Sequence, residues 1–111
     1  MSCRSFEEVW QDIKQLQDED VVTLCHRHKN HIVKVDETGL VRRPDGSKYS
    51  GFVSKGAFKT VWKKVIEYGK FVPVEDGGYY FVCACIAHLP EVKSSYEDGI
   101  YVLSYVNNLI I

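Results

Sequence analysis

The clearest pattern along the chain is an amphipathic helix between Ser54 and Gly69. Its apolar side chains recur at the spacing of one helix face, namely Phe58, Val61, Trp62, Val65 and Ile66. Ser54 provides an oxygen that caps the first turn, and Gly69 provides the left-handed conformation that often ends a helix. Lysines recur at intervals of four residues on another face: Lys55, Lys59 and Lys63. The pattern therefore predicts one helix with a core face and a charged face.

A second amphipathic pattern lies near the N-terminus. Ser5 and Glu8 have the spacing of a capping box, in which each side chain bonds the backbone of the other residue. The apolar residues that follow recur at helical spacing: Phe6, Val9, Trp10, Ile13 and Leu16. They predict a first helix that ends near Gln17.

Four runs rich in β-forming residues lie between these helices, at residues 21–27, 32–35, 40–43 and 48–53. The polar link at residues 28–31 is typical of a hairpin, and Gly39 and residues 44–47 mark two further turns. Because neighbouring strands with short connections usually pair, the sequence predicts an antiparallel four-stranded meander.

The last third of the chain is less regular. Pro73 limits residues 71–74 to a short extended piece. In residues 79–89 the residue types favour a strand, whereas the length and Pro90 favour a buried helix, and we predict the helix. Residues 91–99 are expected to form a polar loop, and residues 100–106 a final strand. The prediction is a single α+β domain over residues 1–111, with an N-terminal helix, an antiparallel four-stranded meander, two further helices and a C-terminal strand.

Charge is distributed unevenly along the chain. The 14 Lys and Arg nearly balance the 15 Asp and Glu, for a net charge of -1. Residues 21–74, however, hold 11 Lys and Arg against four acids, a net charge of +7, and the segments on either side each carry −4. A basic segment of this size suggests an anionic partner such as nucleic acid.

We expect a cytoplasmic protein without a membrane segment. No apolar stretch approaches the roughly 20 residues that span a bilayer. The N-terminus leads directly into the first helix, so neither a signal peptide nor a transit peptide is readable.

The sequence predicts no metal or other cofactor. The four cysteines lie within or beside apolar segments, which favours buried thiols: Cys3, Cys25, Cys83 and Cys85. A disulfide and a zinc site remain alternatives. Cys85 and His88 have helical spacing, and Cys25 lies beside His26 and His28, but the usual Cys-x2-Cys and His-x3-His spacings do not occur.

The leading functional hypothesis is sequence-tolerant binding of nucleic acid, most of all single-stranded DNA. Aromatic residues are interleaved with the cations of the basic segment, and binders of single strands combine a basic groove with rings on which bases stack. We predict phosphate contacts from Arg27, Lys29, Lys34, Arg42, Arg43, Lys48, Lys55, Lys59 and Lys63, with a base stacked on Tyr49 or Tyr68.

Several alternatives remain open at the level of sequence. Phe52 and Phe58 are also typical of core positions, and the acidic ends of the chain would neutralise the basic segment if they fold against it. The protein is alternatively a protein-interaction module that uses the basic face or the apolar tail at residues 109–111.

A small metal-independent nuclease is the enzymatic alternative. It would use the His26, His28 and His31 cluster, with His26 and His28 on the same face of a strand. No common catalytic motif is present, so an enzyme is not the leading expectation.

One combination of residues resembles a known family. Gly39, the Phe58-x-x-x-Trp62 helix, Gly69 and the Ala87-His-Leu-Pro-Glu-Val92 run are similar to features of archaeal ThermoDBP-type single-stranded DNA-binding proteins and their relatives. The similarity spans about residues 39–92. It implies an α+β domain that binds single-stranded DNA in a cleft with apolar and basic walls, and that associates as a homodimer.

Overall fold

The first half of the chain forms one helix followed by four strands. The structure, a computed structural model, describes residues 4–23 and 27–106. Helix α1 (Phe6–Lys14) is followed by β1 (Asp20–Val22), β2 (Lys29–Val35), β3 (Gly39–Pro44) and β4 (Gly51–Ser54). Each strand pairs antiparallel with its neighbours in sequence, in the order β1-β2-β3-β4. The predicted meander is confirmed.

The second half contributes two helices and a smaller sheet. Strand β4 leads directly into α2 (Lys55–Tyr68), which is followed by β5 (Lys70–Phe71), α3 (Tyr80–Ile86), β6 (Val92–Glu97) and β7 (Ile100–Tyr105). The last three strands pair antiparallel in the order β5-β7-β6. The predicted α+β class, with its N-terminal helix and two further helices, is confirmed.

The predicted helix signals are formed. The Ser5 and Glu8 side chains make the reciprocal capping box of α1, and the Ser54 hydroxyl accepts from the Ala57 backbone N–H at 3.3 Å. Gly69 has φ 77, the left-handed conformation expected after α2. Helix α1 ends at Lys14 rather than near Gln17. The side-chain oxygen of Gln17 accepts a hydrogen bond from the Val35 N–H of β2 at 3.0 Å.

One hydrophobic core joins the helices to the inner face of the four-stranded sheet. Trp10 of α1 and Phe58 of α2 are fully buried and meet edge to face, with ring centroids 5.2 Å apart. The Trp10 Nε1–H donates to the carbonyl oxygen of Asp36 at 3.1 Å, which ties α1 to the end of β2. Ile32 and Leu40 present buried side chains from the sheet to the same core.

The first strand is shorter than predicted. We expected a strand at residues 21–27 and a link at residues 28–31, but β1 ends at Val22 and β2 begins at Lys29. The Thr23 N–H donates to the His28 carbonyl, and the Thr23 hydroxyl accepts from the His28 N–H, both at 2.9 Å. Arg27 has φ 55, which is incompatible with a strand. Thr23 thus uses its side chain to end the ladder, as threonine often does at turns.

The fourth strand also starts later than the predicted residue 48. The Ser47 hydroxyl accepts from the Tyr49 N–H and donates to the Tyr49 carbonyl oxygen, each at 3.1 Å. This local turn uses the backbone groups of Tyr49 that a strand would pair, and β4 begins at Gly51.

The predicted loop at residues 91–99 is wrong, because most of it is strand β6. Asp98 and Gly99 have φ 52 and φ 79, the backbone of the two-residue turn that joins a tight hairpin. Strand β6 lies at the edge of its sheet and exposes most of its side chains. It therefore lacks the alternation of apolar and polar residues by which a strand is recognised.

No helix in the described ranges has both the length and the apolar character needed to cross a membrane.

Gly39 offers a test of how tightly β3 and β4 approach each other. Its φ is 156, and a Cβ atom there would lie 2.4 Å from the Val53 carbonyl oxygen and 2.7 Å from the ring of Phe52. We expect Gly39→Ala to lower the free energy of unfolding by about 2–5 kcal/mol, because backbone strain and overpacking add.

Urea denaturation would measure this loss, with Gly46→Ala as the control. Gly46 has φ 80 but no heavy atom within 4 Å of the added methyl group, so only the strain remains, about 1–2 kcal/mol. Equal losses in the two variants would contradict the close approach at Gly39.

Candidate nucleic-acid interface

The four-stranded sheet has one buried face and one exposed face. Strand pairing places Val21, Asn30, Ile32 and Leu40 on the inner face, toward the helices, and all four are buried. The opposite side chains form the outer face, where Val22 is 47% exposed and Phe52 is 60% exposed. This pattern is common in antiparallel sheets, which often pack on one side only.

Two rows of side chains cross the outer face. One row runs from Lys34 through Val41 to Phe52, and the other runs from Asp20 through His31 to Arg43. A bulge at Val33 places this residue beside Lys34, with its side chain also exposed. Lys29 pairs with Val22 and completes the face. We call these residues the outer sheet face.

The outer sheet face carries three cations, Lys29, Lys34 and Arg43. Lys29 and Arg43 line a depression of about 330 Å³ together with His31, Asp20 and Asp45. The Nδ1 atom of His31 lies 3.0 Å from an Asp20 carboxylate oxygen. Within the described residues, neither Lys29 nor Arg43 forms an ion pair.

Phe52 is the residue that sequence reasoning missed. An aromatic residue between Gly51 and Val53 resembles a core position, yet the ring lies on the outer sheet face, over the backbone of Gly39. The strand alternation contains the missing signal, because Val53 is the partly buried neighbour that packs on the core. Tyr49, a predicted stacking residue, is 80% exposed on the link that leads into β4.

The eleven predicted binding residues do not form a single surface. Lys29, Lys34 and Arg43 lie on the outer sheet face, and Arg27, Lys48 and Tyr49 lie in the connections between strands. The remaining helical residues are Lys55, Lys59, Lys63 and Tyr68, all on α2. Because α2 packs against the inner side of the sheet, Lys59, Lys63 and Tyr68 are separated from the outer sheet face by the sheet itself.

Arg42 points inward. Its backbone pairs with Ile32, so its side chain shares the inner face, and its Nη1–H donates to the Asn30 side-chain oxygen at 2.7 Å. The guanidinium carbon lies 4.7 Å from the centre of the Phe81 ring. These internal contacts occupy Arg42, so we leave it out of the interface.

Lys55 is neutralised by acids from two other parts of the chain. Its Nζ lies 2.9 Å from a Glu7 oxygen and 3.2 Å from a Glu37 oxygen, and 5.7 Å from the Trp10 ring centre. The Glu7 and Glu37 carboxylates raise the pKa of Lys55. The sequence alternative in which acidic segments fold against basic ones therefore applies to this lysine.

The nuclease alternative places His26 and His28 on one face of a strand. His28 lies outside β1 and β2, and His31 lies within β2 on the outer sheet face. His26 falls outside the described residues. Since β1 ends at Val22, His28 does not occupy the predicted strand position.

No group of three or more potential metal ligands from His, Cys, Asp and Glu occurs in the described ranges. Cys83 and Cys85 are free thiols buried in α3, and burial raises the pKa of Cys83 to about 12. Cys3 and Cys25 fall outside the described residues. The two described cysteines thus act as small apolar side chains.

The β2–β3 turn contains Asp36, which bonds Thr38, and Glu37, which contacts Lys55. An Asp36 carboxylate oxygen accepts from the Thr38 hydroxyl at 2.6 Å and from the Thr38 N–H at 2.8 Å. These bonds lower the pKa of Asp36 to about 2. The next residue, Glu37, contacts Lys14 and Lys55. Both cations lower the pKa of the Glu37 carboxyl group, and Lys14 has the larger effect.

This turn predicts a loss of stability at acid pH. The folded-state pKa of Asp36 lies below its ordinary value of 3.8, so its stabilising effect is present above that value and is lost as the pH falls toward about 2. We expect the difference in melting temperature between the wild-type protein and Asp36→Asn to be largest near neutral pH and to shrink below pH ~4.

Thermal melts from neutral pH to pH ~2 would measure this difference. Asp45→Asn is the control, because the Asp45 carboxylate makes no hydrogen bond within the described residues. A constant difference between the wild type and Asp36→Asn across the whole pH range would contradict the prediction.

Neither a protein-family model, nor a curated protein, nor a solved structure matches this chain. The resemblance to the ThermoDBP-type proteins therefore stays a prediction.

Proposed function

We propose that this protein binds single-stranded nucleic acid, above all single-stranded DNA, on the outer sheet face and without sequence preference. The observation that carries the proposal is an exposed aromatic ring, Phe52, on the same open face as Lys29, Lys34 and Arg43. A ring stacks on any base, and cations neutralise the phosphates on either side.

The spacing of the two rows suits this mode of binding. Lys34 and Phe52 stand in one row on strands separated by β3, so their Cα atoms are about 10 Å apart. Arg43 lies two residues along β3 from the Val41 position of that row, about 7 Å away. A base stacked on Phe52 thus has a cation within reach of its phosphates both across the sheet and along it.

An open sheet face favours single strands over duplexes. In a duplex the faces of the bases are already stacked on one another, whereas the bases of a single strand are free to stack on a protein side chain. Val22 and Val33 extend the apolar part of the surface beside the cations. Exposed Tyr49 offers a second ring at the end of the same sheet.

The small number of unpaired cations limits the expected strength of binding. Lys55 is paired with two acids, Lys34 lies 3.4 Å from an Asp36 carboxylate oxygen, and Arg42 is occupied internally, so the +7 segment presents fewer free cations than its count implies. Asp20 and Asp45 also border the depression that Lys29 and Arg43 line. We therefore expect binding that is clear at low salt and weak at high salt.

A protein-interaction module is the second candidate, and the same surface favours it. Phe52 and Val33 are exposed apolar side chains near the Lys34-Val41-Phe52 row, and such a surface is also suited to a protein partner. A competition experiment distinguishes the two functions. An unlabelled oligonucleotide would displace a bound oligonucleotide, but it would not displace a bound protein partner.

The central test replaces Phe52. We expect Phe52→Ala to weaken binding of a fluorescein-labelled oligothymidine by about 1–3 kcal/mol, roughly 5- to 150-fold in Kd, because a base loses its stacking partner. Fluorescence anisotropy at low salt measures this change. Phe52→Leu keeps an apolar side chain over Gly39 and separates loss of the ring from loss of packing.

Tyr68→Ala is the matched control, since it removes an equally exposed ring from α2 on the other side of the sheet. A larger loss with Tyr68→Ala than with Phe52→Ala would move the stacking site to α2. Absence of oligonucleotide binding by the wild-type protein at low salt would overturn the proposed function.

A second test compares two groups of cations by salt dependence. We expect the double variant Lys29→Gln/Arg43→Gln to reduce the slope of log K against log salt by about 1–2, because two phosphate contacts and their released counterions are lost. The double variant Lys59→Gln/Lys63→Gln has the same net charge but changes α2 instead. If it reduces the slope as much, the bound strand follows α2 rather than the sheet.

A further inference from the structure

The outer edge of β6 is a strand edge with no partner among the described residues. Strand β6 (Val92–Glu97) pairs with β7 on one side only, in the order β5-β7-β6. The free edges of the larger sheet are shorter, with three residues in β1 and four in β4, whereas β6 has six. A free edge presents unpaired N–H and C=O groups that are a template for another strand.

The hydrogen-bond pattern identifies the residues that face outward. The Val106 N–H donates to the Glu91 carbonyl oxygen at 2.7 Å, which marks these two as a hydrogen-bonded pair of the hairpin. Since such pairs alternate in antiparallel strands, Lys93, Ser95 and Glu97 also bond β7. The backbone groups of Ser94 and Tyr96 therefore point to the free edge.

We propose that two copies of this protein associate through antiparallel pairing of their β6 strands, with a two-fold axis at Ser95. In this register, Ser94 of one copy and Tyr96 of the second copy form hydrogen-bonded pairs through their outward backbone groups. Lys93 then stands opposite Glu97 of the second copy, and the symmetry repeats this charge pair. Lys93 and Glu97 occupy a non-hydrogen-bonded position of this pairing, where facing side chains are closest.

Charge complementarity selects this register over its neighbours. Two neighbouring registers also keep the outward groups paired. One places Lys93 opposite Ser95 and Glu91 opposite Glu97, and the other places Lys93 opposite Gly99. Only the register centred on Ser95 pairs each Lys93 with a Glu97. Both side chains are exposed and form no ion pair within the described residues, so both are available for this contact.

Tyr96 adds apolar area to the same edge. Its side chain is 62% exposed and meets Tyr101 edge to face, with ring centroids 4.7 Å apart. In the proposed register each Tyr96 lies across from Ser94 of the second copy, a small residue that leaves room for the ring. The dimer edge therefore combines backbone pairing, two charge pairs and two aromatic side chains.

The test is a charge reversal measured by sedimentation equilibrium on the full chain. The wild-type protein is expected to dimerise, and Lys93→Glu and Glu97→Lys are each expected to weaken the dimer by about tenfold or more, since each creates two like-charged pairs. The double variant Lys93→Glu/Glu97→Lys restores the opposite charges and is expected to restore the dimer. Failure of the double variant to do so would overturn the proposed register.

Ser94→Pro tests the backbone pairing independently of charge. Proline removes an outward N–H that β7 does not use, and proline is tolerated at such edge positions. We expect this variant to keep the far-ultraviolet circular dichroism of the wild type and to sediment as a monomer. A monomeric wild type at all concentrations, or a dimer unaffected by Ser94→Pro, would overturn the proposal.

The outcome is separable from that of oligonucleotide binding. Phe52 and its cations lie on the four-stranded sheet, whereas β6 belongs to the other sheet. Ser94→Pro is thus expected to change the mass of the particle without abolishing binding of the oligonucleotide to each copy.

Discussion

The contact between Trp10 and Phe58 holds α1 and α2 together on one face of the four-stranded sheet. These two buried rings join α1 to α2, and the Trp10 hydrogen bond to the Asp36 carbonyl anchors the pair to the end of β2. An edge-to-face pair of this kind stabilises by about 0.5–1.5 kcal/mol beyond its buried area. Because both helices pack on one face of the sheet, the opposite face stays open. The candidate binding surface is thus a direct result of one-sided burial.

The same packing redistributes the charge of the chain. In sequence, the lysines of α2 belong to a basic segment between two acidic ones. In the fold, α1 brings Glu7 to Lys55 of the basic segment. Outside that segment, Arg4 pairs with the carboxylates of Asp12 and Glu91. Charges far apart in sequence are thereby paired, and the free cations that remain include Lys29 and Arg43 on the sheet. Lys59 and Lys63 of α2 also form no ion pair within the described residues, so the feature that favours the sheet over the helix is the exposed Phe52 ring on the same face as the sheet cations.

Much of the fold can be predicted from sequence because its elements are strongly periodic. The apolar stripe of α2, with Ser54 and Gly69 at its ends, is a local signal, and so is the capping box of α1. Strand β6 escapes prediction because an edge strand exposes most of its side chains and shows no apolar alternation. The early end of β1 depends on the Thr23 hydroxyl, which accepts a hydrogen bond from the His28 N–H. No periodicity in the sequence reveals such a bond.

The candidate site is harder to predict because it depends on pairing between strands. Whether Phe52 points to the core or to solvent is decided by the register of β4 on β3, where Val53 faces Leu40 and Phe52 faces Val41. A shift of one residue would exchange the two faces. Likewise, Arg42 and Arg43 are adjacent in sequence but lie on opposite faces of the sheet. A count of basic residues cannot separate them.

Gly39 links the construction of the sheet to the proposed stacking function. Because this residue has no side chain, the Phe52 ring lies directly over its backbone, where a Cβ atom would be 2.7 Å from the ring. One side of the ring is therefore supported by the protein, while the side chain as a whole remains largely exposed. A ring held in place before binding loses less conformational freedom when a base stacks on it. The glycine that permits β3 and β4 to approach thus also prepares the aromatic surface.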